Sequence, residues 1–329
     1  MTVLTPQAPV LSAVGEDTPI EVSQSHTPAD RAFRFALVAA SATVLFLLAA
    51  ITLFLIVKGL PAARAAKQNF FLSVVWNPDG HHFGVLPLLG GSVAIALVAI
   101  VIAAPLSMAC ALMINELAPK RMRGILTGTV DLLATIPSIV YGFWGLEIVS
   151  TSQAGVAQWL AHYFGFVPFF QTPSPGEFVK SVFATGLICS LTIVPIITSV
   201  SREVMAQAPR DACEAALGLG GTRWGMITDV LLPFSRNGIV GAILLGFGRG
   251  LGETMIVVLV LSSANHLTPG ILGPNGLGSI AKEITEYFVT GSNIEKSALI
   301  LAGLALFATT LAVNAVARAI VLRSEGVTR

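Results

Sequence analysis

Charged side chains are scarce along this chain: 18 acidic and 19 basic residues among 329 make up 11% of it, where soluble globular domains carry about 25%. With 54% hydrophobic residues and a mean hydropathy of +0.80, that scarcity excludes an ordinary soluble domain. Cysteine is equally sparse. Cys110, Cys189 and Cys213 fall in two apolar runs and one polar loop, so no disulfide framework is implied. The five histidines have no cysteine or carboxylate at ligand spacing, and no metal is expected. The nucleotide loop Gly-x4-Gly-Lys-Ser/Thr is missing, so this chain is expected to bind no cofactor, and any ATP and magnesium chemistry belongs to another chain. No internal repeat is found. No nucleophile–base or metal constellation appears in the apolar runs, which argues against an enzyme. A net charge of +1 gives no reason to expect nucleic acid as a partner.

What the chain does have is apolar length. Six runs, about 33–58, 86–114, 124–149, 177–205, 238–263 and 297–321, can each cross a hydrocarbon core that needs about 20 helical residues. Backbone hydrogen bonding in lipid then demands helices, so the expected fold is all-α: a polytopic integral membrane protein with six transmembrane helices over residues 33–321. Lys120, Arg121 and Arg123, with Arg202, Arg210, Arg223 and Arg236, mark the cytoplasmic loops and place both termini in the cytoplasm. Residues 1–32 carry Pro6, Pro9, Pro19 and Pro28 among polar residues and read as a disordered cytoplasmic tail, and 322–329 as a short cytoplasmic end. Pro61-Ala62-Ala63 imitates a signal-peptide cleavage site, but the preceding run is far longer than a 7–15-residue h-region, so no cleavage is expected.

Arg249 stands inside the fifth run, and an arginine near a bilayer centre costs about 2.5–3.5 kcal/mol on insertion scales. Glu253 follows at i+4, a spacing that puts both charges on one helical face. The pair reads either as a waypoint for an anion or as a buried ion pair that fixes packing. Pro105, Pro137 and Pro195 lie deep in other runs, where each removes a backbone hydrogen bond. Around Pro137, Thr135, Ser138 and Tyr141 offer hydroxyls either to a central pathway or to their own helix backbone. Asp131 either joins the charge network or, the preferred reading, snorkels to the inner interface. Gly246 with Gly250 and Gly248 with Gly252 form small-residue faces that let neighbouring helices approach, which predicts a central fifth helix surrounded by protein.

The polar loop 206–236 holds Glu214-Ala215-Ala216, then Gly220, then Val230-Leu231-Leu232-Pro233. Asp211 in the first turn and glycines at the end predict a short exposed helix closed by a tight turn. The pattern resembles the EAA motif of ABC importer permeases, with valine for the usual isoleucine. By that resemblance the fold is of the type I ABC importer permease kind. Glu214, Ala215, Ala216, Gly220, Leu232 and Pro233 would form the coupling element that seats in an ATPase subunit. Ile136-Pro-Ser-Ile-Val-Tyr-Gly-Phe-Trp-Gly-Leu146, Leu232-Pro-Phe-Ser-Arg-Asn-Gly238 and Gly248-Arg-Gly-Leu-Gly-Glu-Thr-Met255 further resemble the PstC-type phosphate permeases. That resemblance covers about residues 33–321. It implies a multi-pass protein of the bacterial cell membrane and inorganic phosphate as cargo. It also implies a second permease subunit (PstA-type), two ATPase subunits (PstB-type) that use ATP and magnesium, and an extracytoplasmic phosphate-binding protein (PstS-type). Arg249 and Glu253 occupy the positions where that family places its functional intramembrane charges.

Composition and spacing alone give an anion path. Molybdate, tungstate or sulfate remain alternative cargoes. A secondary anion transporter is the more distant alternative, since it would show inverted repeats and would not need the coupling element. Between residues 264 and 296, the stretch Gly278 to Val289 alternates apolar and charged residues at helical spacing. It reads as an outer amphipathic helix, with Lys282 and Glu286 on a docking surface for a binding protein.

Overall fold

The computed structural model describes residues 28–66, 69–71, 73–77, 82–171, 180–262, 270–273 and 277–325. The expected tail lies outside them except for its last five positions. The chain divides into two units, Met1–Ile51 and Thr52–Arg329. Helix α1, Pro28–Ala65, begins in the first. It starts earlier than expected because Pro28 fits a first helical turn, where a missing N–H costs nothing, and Asp30 favours the same end. Its apolar side chains in the first unit, Phe35, Leu45 and Phe46 among them, are exposed, as suits a lipid or protein surface.

The second unit is built on α2 (Leu86–Leu112), α5 (Val182–Ala206) and α8 (Leu232–Leu251). Ile95, Ala99 and Ala103 of α2 pack with Ile188, Cys189, Ile193 and Ile197 of α5, with Ala242 of α8, and with Ile256 and Val257 of the short α9 (Met255–Val260). Small residues bring the backbones close. A Cβ on Gly246 would lie 2.8 Å from Ile193 and Ile197 side chains, and one on Gly250 3.2 Å from Ile193. Each of α2 and α5 carries an internal proline, Pro105 and Pro195, and the two helices are laced together beside them. Ser107 Oγ donates to the Val194 carbonyl at 3.0 Å.

Two expected spans are broken. The third, expected as one run over 124–149, is α3 (Lys120–Thr135) and α4 (Ser138–Phe164), meeting at 87°. Pro137 is the cause, because its ring drives the preceding residue out of the helical region, and Ile136 is extended at ψ 127°. The fifth, expected over 238–263, starts much earlier: α6 (Arg210–Gly218) is followed by α7 (Arg223–Met226), a π-helical turn Ile227–Leu231, and α8 without interruption. The wider π turn accommodates Pro233, whose missing N–H would otherwise leave a gap in the ladder. At the other end α8 stops at Leu251, and Gly252, Glu253 and Thr254 separate it from α9. A π turn, Met113–Leu117, also closes α2. The last span is α11, Asn293–Glu325. Among the described residues five helices are long and apolar enough to cross a membrane, and the bent α3–α4 pair makes a sixth if its arms count as one span.

At the start of α2 lies a small cap. The hairpin β1 (Trp76–Asn77) and β2 (His82–Phe83) pairs antiparallel. Beside it α10 (Ile280–Tyr287) abuts α2 so closely that a Cβ on Gly91 would collide with the Gly278 carbonyl. The Ile280 N–H donates to Ser92 Oγ at 3.1 Å, which caps α10 from the neighbouring helix. The expected amphipathic helix is thus present, but its charges are not a free surface. Lys282 and Glu283 are buried. Lys282 Nζ donates to the Leu261 carbonyl at 2.7 Å and pairs with Glu286 at 3.1 Å. Periodicity showed a helix and could not show what covers it.

Candidate functional site

A cavity of about 760 Å³ opens between α5, α8 and α11 and is lined by both Arg249 and Glu253. Arg249 sits in the last turn of α8, where the carbonyl end of the helix favours a cation, and its side chain is exposed. Glu253 sits in the break beyond, only 7% exposed. The expected shared helical face does not form, because the helix has ended before Glu253 is reached. No ion pair joins Arg249 to Glu253, so the two face one cavity without closing on each other. Arg249 is exposed on this chain, while other faces of α8 pack on α2, α5 and α11.

The glycines of α8 divide by face. Gly246 and Gly250 pack against α5, as their spacing predicts, whereas Gly241 and Gly248 line the cavity, with nothing within 4 Å of a Cβ added at either. Thr310 and Asn314 of α11 and Ile196 of α5 complete the wall. Sequence reasoning missed Asn314 and Thr310. Asn314, an amide inside an otherwise apolar span, is the kind of signal that marks a pathway.

The polar residues near Pro137 do not line this cavity. Pro137 leaves the Leu133 carbonyl without its helical donor, and Tyr141 Oη supplies one at 3.0 Å. Thr135 Oγ1 donates to the Leu132 carbonyl at 2.8 Å. Ser138 is the first residue of α4. The Thr135 and Tyr141 hydroxyls thus bond helix backbone at the bend. Asp131 accepts from Ser199 Oγ at 3.4 Å and ties α3 to α5.

At the far end of α2 from the hairpin, α6 forms a knob. Cys213 and Ala216 pack on Ala111, Met205, Met226 and Leu231, while Glu214 and Ala215 face outward. Burial, helped by Glu116 and Glu214, pushes the Cys213 thiol up. Gly220, at φ +87°, closes the helix. Its N–H donates to Leu217 and that of Gly221 to Ala216, the paired bonds of a Schellman turn. A glycine is required there because other residues are strained at that φ. Leu232 and Pro233, expected in the loop, lie instead in the first turn of α8. The stretch outside the helices that cross is correspondingly shorter than the expected 206–236.

Residues 103–325 match the family model for the binding-protein-dependent transport system inner membrane component. The chain belongs to this family. The match spans the knob, the cavity and α11. Its members are permeases of ABC transporters, and this permease is accordingly a multi-pass inner-membrane protein that works with ATPase and binding-protein partners. The permease is 36% identical over 301 residues to the phosphate transport system permease protein PstC 2 of Mycobacterium tuberculosis, covering 88% of this chain and 91% of that one. It is 35% identical over 300 residues to the phosphate transport system permease protein PstC of Xylella fastidiosa, covering 90% and 91%. Among solved structures it resembles a bacterial ABC transporter involved in the import of the acidic polysaccharide alginate. That match has a TM-score of 0.58 and 19% identity, and it covers 88% of this permease and 96% of that chain. At that identity the likeness is one of fold.

Proposed function

We propose that this permease carries inorganic phosphate, lining half of a translocation pathway that a second, PstA-type permease completes. Two PstB-type ATPase subunits drive it through the α6 knob, and a PstS-type binding protein delivers the anion. The observation that carries the reading is the cavity at Arg249: an exposed guanidinium at a helix end, glycines that keep space in front of it, and an open side for a partner chain to close. A guanidinium offers planar, charge-assisted hydrogen bonds to a tetrahedral oxyanion. The PstC relatives make phosphate the reading to test first. Glu253 belongs to the same pathway. Thr135, Ser138, Tyr141 and Asp131 support it by holding the α3–α4 bend against α5. ATP and magnesium act on the ATPase subunits.

The test is ATP hydrolysis by the reconstituted complex. Phosphate-loaded binding protein should stimulate it, and binding protein offered with sulfate or molybdate should not. Equal stimulation by all three anions would sink the phosphate reading.

A further inference from the structure

The two sides of the cavity differ in hydrogen-bond chemistry. Arg249 presents donors only. Glu253, as a carboxylate, presents acceptors only, and it is buried with no cation held against it among the described residues. Across the cavity Thr310 and Asn314 stand at i and i+4 on α11, on one face. The Thr310 hydroxyl proton is already committed, since Oγ1 donates to the Leu306 carbonyl at 2.9 Å. Toward the cavity Thr310 therefore offers lone pairs alone. Asn314 can both donate and accept.

A buried carboxylate is an odd lining for a space that admits anions. It repels any oxyanion that is fully deprotonated, because two acceptors with like charge then meet without a proton between them. It welcomes an oxyanion that still carries an O–H near neutral pH. Phosphate and arsenate keep one or two protons there; sulfate and molybdate keep none.

We infer that Glu253 and Thr310 form an acceptor pair that selects protonated tetrahedral oxyanions, phosphate and arsenate, over sulfate and molybdate within the permease itself, separately from any choice made by the binding protein. The inference rests on the reading of this cavity as an anion path. In it Arg249 and Asn314 hold the unprotonated oxygens, while the O–H of the anion donates to Glu253 and Thr310. No bond is made or broken and the proton stays on the anion.

The experiment is equilibrium binding of radiolabelled phosphate to the assembled transporter without binding protein, with arsenate, sulfate and molybdate as competitors. In the wild type, arsenate should compete about as well as phosphate, whereas sulfate and molybdate should need about 100-fold more, the scale expected when an acceptor meets an unmatched acceptor. Glu253→Gln replaces an obligate acceptor with an amide that can also donate, and should narrow the phosphate-to-sulfate ratio at least about tenfold. Thr310→Val keeps the side-chain shape and should move the ratio in the same direction by a smaller factor. It carries the test alone if the Glu253 variant fails to assemble. A ratio unchanged in the variants, or no wild-type preference over sulfate, overturns the acceptor pair while leaving the anion path intact. Absence of any phosphate binding that Arg249→Gln removes overturns the anion path and the acceptor pair with it.

Discussion

Arg249 and Glu253 carry opposite charges into one cavity, yet each is available to a third party. A closed pair would leave a buried unpaired charge whenever one member was changed, and protein levels would fall. Here the guanidinium is exposed and pairs with no carboxylate, so Arg249→Gln should assemble normally and still lose uptake by about 10- to 100-fold, the value of a charge-assisted hydrogen bond. Lysine should restore only part of it, since it lacks the planar fork. The check is phosphate uptake normalised to complex in the membrane. Recovery of uptake in the Arg249→Gln, Glu253→Gln double variant would show that the two charges merely balance each other.

Helix α8 has two glycine faces with different work. A valine at Gly246 would press on Ile193 and Ile197 of α5, and overpacking of that kind costs about 1–3 kcal/mol. A Cβ at Gly248 has nothing within 4 Å, and the position lines the cavity. Gly246→Val should therefore lower the thermal stability of the purified complex, while Gly248→Val should leave stability alone and reduce uptake. If both variants lose stability equally, the cavity face is not free. Spacing alone assigned both glycine pairs to helix contact, because it reports which residues share a side and not what stands opposite. The same limit hid the break at Gly252–Thr254: Arg249 and Glu253 look like helical neighbours until the helix is seen to stop at Leu251. The bend at Pro137 was legible as a weak point, but its angle depends on how Tyr141 and Thr135 satisfy the freed carbonyls. Lys282 read as a surface charge because nothing local announces that Leu261, 21 residues earlier, supplies its acceptor.

Across the whole molecule, the cavity and the α6 knob are joined by α8 and the short elements before it, which run without a loop from Arg223 to Leu251. The knob was the most legible part of the chain. Its motif is local, and each of its letters has a local job: Ala216 packs inward, Glu214 stays outside, and Gly220 takes the left-handed turn. Gly220→Val forces a β-branched residue into that turn at a cost of about 1–3 kcal/mol. Because nothing stands within 4 Å of a Cβ added at Gly220, the spans should insert as before, while phosphate-dependent ATP hydrolysis per assembled complex falls severalfold. Full hydrolysis by this variant would show that force enters elsewhere.

The buried Glu283 at the opposite end of the bundle makes that end answer to acidity. Burial above all, and then Glu286, raises its carboxyl to about 7 against Lys282 and a hydrogen bond from Trp76, both of which pull it down; the ordinary value is 4.5. The folded state thus holds this proton more tightly than the unfolded chain does. Its contribution to stability is complete below about 4.5, drains away as pH rises to about 7, and stays lost above that. Amide exchange across residues 280–287, corrected for the intrinsic effect of hydroxide, should show protection falling through this window, and Glu283→Gln should flatten the curve. A permease of this build would hold its α10 cap most firmly in sour surroundings and loosen it in alkaline ones, with no ligand involved.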